Sequence, residues 1–229
     1  MSNFTDRKPD QYAIQKACAR WAPIYDIICG PIFLDGRRAA ARAACDVGGR
    51  ILEIGVGIGL SFDDYDNSTE VIGIDLSASM VARAKSRLAS GQYPYVKKVA
   101  QMDAAHLRFP DQSFDCVVGQ FVIALAANPE RVLSECVRVL KPGGQIILVN
   151  HLYFETGTAA AIERWASHHA QPLGLRPHFS LARLRVWAQN HQDVTMLGLH
   201  KIPPLGVYTL TRFSRNSNAV RDPACSAAA

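Results

Sequence analysis

Apolar positions along this 229-residue chain fall into short runs separated by turns rich in glycine, proline and polar residues. Ile51 to Ile54, Val71 to Ile74, Tyr95 to Ala100, Ser113 to Gly119 and Gln145 to Asn150 each read as a strand, most of them buried on both faces. Helical segments separate them. Only a brief helix, around Leu60 to Tyr65, fits between the first two strands, and Ser77 opens a second that runs to about Leu88. Pro129 begins a third in its first turn, where a missing N–H costs nothing, and Lys141-Pro142-Gly143-Gly144 is the turn into the fifth strand. Ser180 is a suitable cap for a helix over Leu181 to Gln189. Two alternating runs, Val194 to Ile202 and Leu205 to Phe213, flank Pro203-Pro204 and read as an antiparallel pair closing the sheet.

The N-terminal portion has a different pattern. Ile14, Ala17, Cys18 and Trp21 recur at helical spacing on one face, with Lys16 and Arg20 opposite, until Pro23 ends or kinks the helix. Such a helix either packs its apolar face on the domain or lies on a membrane with Trp21 at the boundary. Residues 32–46 form an Ala/Arg-rich helix broken by Gly48-Gly49, and 157–170 also look helical. The pattern divides the chain into an N-terminal helical segment (1–46), a domain (47–213) and a disordered tail (214–229).

Composition narrows the class. A hydrophobic content of 48% suffices for one sizeable core, and 20% charged residues argue against a disordered chain or a coiled coil. No apolar run reaches spanning length and no signal peptide opens the chain. Six scattered cysteines without a Cys-x-x-Cys pair read as reduced thiols of a cytosolic protein. His168-His169 lacks a carboxylate or cysteine partner at metal-ligand spacing, so no metal is expected. The net charge of +5 is compatible with an anionic lipid surface or with nucleic acid.

The candidate chemistry lies where the first strand ends. Gly55, Gly57 and Gly59 follow it directly, and Asp75 ends the second strand 20 residues after Gly55. A glycine turn at a strand end lets the backbone approach a ligand, and a carboxylate at that distance accepts hydrogen bonds from ribose hydroxyls. Leu60 stands where the dinucleotide pattern Gly-x-Gly-x-x-Gly needs glycine. Glu53 is a charge inside an apolar strand and requires donors, from the loop or from a cationic ligand group. Asp103 is either a turn-former or an acceptor for an adenine amino group, with Met102 against the ring. Gln120, at the end of the fourth strand, faces either solvent or the pocket.

In order, Leu-Glu-Ile-Gly-Val-Gly-Ile-Gly, Gly-Ile-Asp-Leu-Ser, Met-Asp-Ala, Phe-Asp-Cys-Val-Val and Leu-Lys-Pro-Gly-Gly resemble the class I S-adenosylmethionine-dependent methyltransferases over roughly residues 45 to 150. The resemblance implies a Rossmann-like α/β fold: a seven-stranded, mostly parallel sheet with helices on both faces and an N-terminal amphipathic extension. It implies S-adenosylmethionine as methyl donor, held by Glu53, Gly55, Val56, Gly57, Asp75, Leu76, Met102, Asp103, Ala104 and Gln120. Arg20-Trp21-Ala22-Pro23-Ile24-Tyr25-Asp26 and Val-Asn-His after the fifth strand are similar to bacterial soluble-type phosphatidylethanolamine N-methyltransferases. That similarity implies three methyl transfers to a phospholipid amine. It also implies a cytoplasmic enzyme docked on the inner membrane surface through Lys16, Arg20 and Trp21.

An amine must be unprotonated to attack, which makes His151 a candidate base; as a plain alternative it merely caps the strand. Tyr25, Tyr153 and Tyr12 are aromatic candidates for the acceptor, because ring faces attract alkylammonium groups. Arg176, Arg183 and Arg185 are either phosphate contacts or solvated helix charges. Two other functions stay open: a quinone-ring C-methyltransferase, and a module that binds S-adenosylmethionine without catalysis. Gly-Gln-Phe-Val after the fourth strand differs from the Asn/Asp-Pro-Pro-aromatic motif common in base-modifying enzymes, which disfavours a nucleic-acid substrate.

Overall fold

The computed structural model describes residues 33–151, 180–202 and 208–217, with His151 described through its backbone. The expected N-terminal amphipathic helix, with Tyr12, Lys16, Arg20, Trp21 and Tyr25, lies outside these residues. So do Tyr153, Arg176, the 157–170 segment and the tail from 218.

Helix α1 (33–47) leads into β1 (Gly49–Ile54). The chain continues through β2 (Thr69–Asp75), α2 (Ala78–Leu88), β3 (Val96–Gln101) and β4 (Phe114–Gln120). It then forms α3 (Pro129–Val139), β5 (Leu140–His151), α4 (Leu181–Gln189), β6 (Val194–Ile202) and β7 (Tyr208–Arg215). The strands make one seven-stranded sheet in the order β3-β2-β1-β4-β5-β7-β6. The pairs among β1 to β5 are parallel, and β7 runs antiparallel to both neighbours. The strand order reverses between β1 and β4, the place where open α/β sheets bind ligands.

Alternating side chains divide the core into two layers. On one face Leu52, Ile54, Val117, Ile146 and Leu148 pack against α3 and α4 through Leu133, Cys136, Leu184 and Trp187. On the other, Ile51, Val71, Val118, Ile147 and Val149 meet the alanines of α1, with Phe62, Val81 and Ala84. Small alanines let α1 lie close to the sheet. Side-chain oxygens cap the helices at the expected Ser77, which accepts from Met80 N, and Ser180, which accepts from Arg183 N; before Pro129, Asn128 does the same for Arg131 N.

Two boundaries differ from expectation. β5 begins at Leu140 rather than Gln145: Leu140 pairs with Phe114, Lys141 to Gly144 loop out of register, and Gln145 resumes pairing opposite Cys116. Asp115 holds this bulge, accepting from Lys141 Nζ at 2.8 Å and from Arg50 N at 2.9 Å. β7 runs two residues past the expected domain end at 213. Arg215, 3% exposed, anchors that end by donating to the Leu140 carbonyl. The described cysteines 45, 116 and 136 are free thiols, and burial pushes all three thiol pKa values up.

Candidate methyl-donor site

The carboxyl ends of β1 to β4 are stitched together by backbone contacts. Val56 N donates to Ile74 O at 2.9 Å and Met102 N to Asp75 O at 3.0 Å, tying the turns after β1, β2 and β3 to one another. Phe121 N donates to Val149 O at 2.7 Å, joining the β4 exit to β5. The turn after β1 is left-handed at Gly55, Gly57 and Gly59, with φ of 70°, 56° and 81°. At Gly59 a Cβ would run into the Phe62 ring, whereas at Gly57 it would meet nothing within 4 Å. Gly57 thus presents bare backbone to open space, as close approach of a ligand requires.

Asp75 is joined to that turn. One carboxylate oxygen accepts from Gly57 N at 2.9 Å and the other from Ser77 N at 2.8 Å. Each oxygen can accept a second bond, so both remain able to receive ribose hydroxyls. Burial pushes the Asp75 carboxyl up, and the Ser77 and Gly57 N–H groups oppose that shift. Asp103 serves its own turn, accepting from Ala105 N at 2.9 Å and facing His106 Nδ1 at 3.2 Å. The turn-forming role is therefore realised, and Met102 and Asp103 directly follow β3, whose last residue Gln101 pairs with Asp75. Gln120 has a buried Nε2 with no hydrogen-bond partner, a donor in want of an acceptor at the β4 rim.

Glu53 is 2% exposed. Ser61 Oγ donates to its Oε2 at 2.8 Å. Burial pushes its pKa up to about 7; Ser61, Tyr65 and Arg37 hold it down, while Asp64 pushes it further up. The Tyr65 hydroxyl, also buried, faces the same carboxylate. Arg37 of α1 reaches across to Asp64 at 2.7 Å and fastens that helix to the segment carrying Ser61 and Tyr65. Ser61 and Tyr65 did not stand out in the sequence, because a short 3-10 turn (Leu60–Asp64) has no long periodicity to show which side chains fold back. Leu76 and Ala104 lie in the connections after β2 and β3, and Val56 is buried beneath the glycine turn.

The site thus has a buried carboxylate, a bare glycine backbone, a ribose-type acceptor and an unpaired amide donor. Together they fit a ligand with a cationic amino acid end and an adenosine end. Among the described residues no group of His, Cys, Asp and Glu suits a metal ion, and no helix is long and apolar enough to cross a membrane. Arg183 binds Glu130, through Nη2 at 2.8 Å and through Nε, and so ties α4 to α3. Arg185 is exposed on α4.

Residues 52–148 match the methyltransferase domain family. The chain is 37% identical over 205 residues to the phosphatidylethanolamine N-methyltransferase of Cereibacter sphaeroides, covering 89% of this chain and 98% of that protein. It is 31% identical to the demethylmenaquinone methyltransferase of Renibacterium salmoninarum, covering 62% of this chain and 60% of that one. In fold it is similar to a chain from the complex between the Haloferax volcanii Trm112 methyltransferase activator and a methyltransferase. There the TM-score is 0.69 at 19% identity, with coverage of 89% and 97%. The chain belongs to the class I S-adenosylmethionine-dependent methyltransferases, in the family that includes the Cereibacter sphaeroides enzyme.

Proposed function

We propose that this methyltransferase acts on the amine of phosphatidylethanolamine and of its mono- and dimethyl forms, ending at phosphatidylcholine. The supporting observation is the extent of similarity to the Cereibacter sphaeroides protein, which runs nearly end to end. The similarity to the Renibacterium quinone enzyme covers only three-fifths of that protein.

S-adenosylmethionine supplies a methyl group already activated on a sulfonium. The chain's residues then have to hold the cofactor, orient the acceptor, exclude water and accept a proton. Asp75 receives the ribose hydroxyls, Glu53 attracts the amino group, and Met102, Asp103, Leu76 and Ala104 surround the adenine. Gln120 offers its unpaired amide at the β4 rim. His151, whose Cα pairs with Tyr208, is the proposed base for the ammonium proton, and Tyr12, Tyr25 and Tyr153 are the proposed aromatic contacts for the acceptor amine. The segment with Lys16, Arg20 and Trp21 docks on an anionic bilayer at the cytoplasmic face.

The similarity to quinone C-methyltransferases supports a second reading, a ring-carbon acceptor. One experiment separates them: labelled S-adenosylmethionine is supplied with phosphatidylethanolamine vesicles or with a demethylquinone. Label in mono-, di- and trimethylated lipid is the expected result. Label in the quinone alone would replace the proposal with the second reading.

A further inference from the structure

Near Gln120, on the α1 face of the sheet, stand three aromatic rings outside the cofactor contacts proposed above. Phe121 and Phe33 have ring centroids 4.5 Å apart, Phe121 and Tyr208 5.1 Å, and Phe33 and Tyr208 5.8 Å. They come from three distant places: the first turn of α1, the residue after β4 and the start of β7. All three remain partly accessible. Tyr208 lies in register opposite His151, so the cluster sits at the carboxyl ends of β4 and β5.

Phe121 is also held in an unfavourable backbone state. Its φ is 58°, a left-handed conformation that a bulky residue adopts only under constraint. The constraint is visible: its N–H is committed to Val149 O, and a Cβ on Gly36 would lie 2.8 Å from the tip of its ring. A leucine with ordinary backbone geometry would fill an apolar gap at lower cost. The structure instead packs a flat ring against Gly36 and between Phe33 and Tyr208, one residue along the chain from the unpaired amide of Gln120.

We infer that Phe33, Phe121 and Tyr208 form an aromatic platform that receives the alkylammonium end of the acceptor and favours the later methyl transfers. This inference rests on the lipid-amine reading above. Each transfer puts positive charge on the acceptor nitrogen. The first two products can shed a proton to water or a base, but the trimethylated product cannot and stays cationic. Every added methyl also removes an N–H that water would solvate, so ring faces compete better with water as methylation proceeds.

The test measures kcat/KM separately on vesicles of phosphatidylethanolamine and of its dimethyl derivative, for wild type, Tyr208→Phe and Tyr208→Leu. Binding of S-adenosylhomocysteine by each protein reports that the fold is retained. Tyr208→Leu is expected to lower the dimethyl-to-unmethylated ratio by about fivefold. Tyr208→Phe, which keeps the ring, is expected to hold the ratio. Equal losses on both lipids, or Tyr208→Phe behaving as Tyr208→Leu does, would overturn the platform. Should Tyr208→Leu lose cofactor binding, Phe33→Leu at the helix start reads the same ratio. Wild-type protein that binds S-adenosylhomocysteine yet methylates neither lipid would overturn the platform together with the lipid-amine reading. A wild type active on both lipids with an unmoved ratio in the variants would overturn the platform alone.

Discussion

Glu53 sets a pH dependence at the scale of one residue. Its carboxyl pKa, ordinarily 4.5, is pushed up to about 7 by burial, so the folded chain keeps a proton that the unfolded chain releases. Glu53 therefore adds its full stabilisation below pH 4.5 and loses it as pH rises to about 7. Glu53→Gln, which copies the protonated form, should flatten the melting temperature between these limits in the cofactor-free protein. An unchanged slope would remove Glu53 as the cause. A cationic ligand group beside this carboxylate favours its ionised form, so S-adenosylmethionine binding near pH 7 should release protons from wild type and fewer from Glu53→Gln. Calorimetry in buffers of different ionisation enthalpy measures that difference. Asp75 supports the glycine turn and the ribose together, and Asp75→Ala should weaken S-adenosylhomocysteine binding by about 10- to 100-fold. Equilibrium dialysis checks it.

Among the elements, α3 does more than its sequence discloses. Read as a helix it shows a mixed charged face with Glu130, Arg131, Glu135 and Arg138. In the structure Glu135 is buried and receives Leu107 N at 2.9 Å. Arg138 binds both Glu135 oxygens at 2.9 Å, the carbonyls of Leu107 and Phe109, and Asp111. The pair clamps the loop that leaves Asp103 and returns to β4. Burial pushes the Glu135 carboxyl up, but Arg138 and the Leu107 N–H hold it below the usual carboxylate range. Arg138→Ala strips that carboxylate of its nearest cation, leaving Arg131 at 3.8 Å, and should cost about 3 kcal/mol, seen as a lower urea midpoint. Helical spacing reveals which residues share a face, but not that a loop 27 to 31 residues earlier folds back onto it. The helix starts at Ser77, Pro129 and Ser180, by contrast, were legible because a start signal acts within four residues of itself.

Over the whole molecule, the parallel half of the sheet was legible because each buried strand is a compact apolar run between turn residues. The glycine turn and Asp75 were legible for the same reason: their spacing lies along the chain. The partners of Glu53 and the Phe33–Phe121–Tyr208 cluster were not, since they meet only after distant strands pair. Cofactor binding should stabilise the assembled site by mass action, about 2.7 kcal/mol at a hundredfold excess over Kd, read as a rise in melting temperature. That rise should shrink in Asp75→Ala.

β7 lies between β5 and β6, so the last strand among the described residues occupies an interior place in the sheet. During translation the nascent chain must wait for it. Until Arg215 has emerged from the ribosome, β5 offers an open hydrogen-bonding edge and β6 has no neighbour to join. A premature stop just upstream of Tyr208 would remove few residues yet leave that edge unsealed. Such truncated chains should collect in the insoluble fraction, and those ending beyond Ser217 should not.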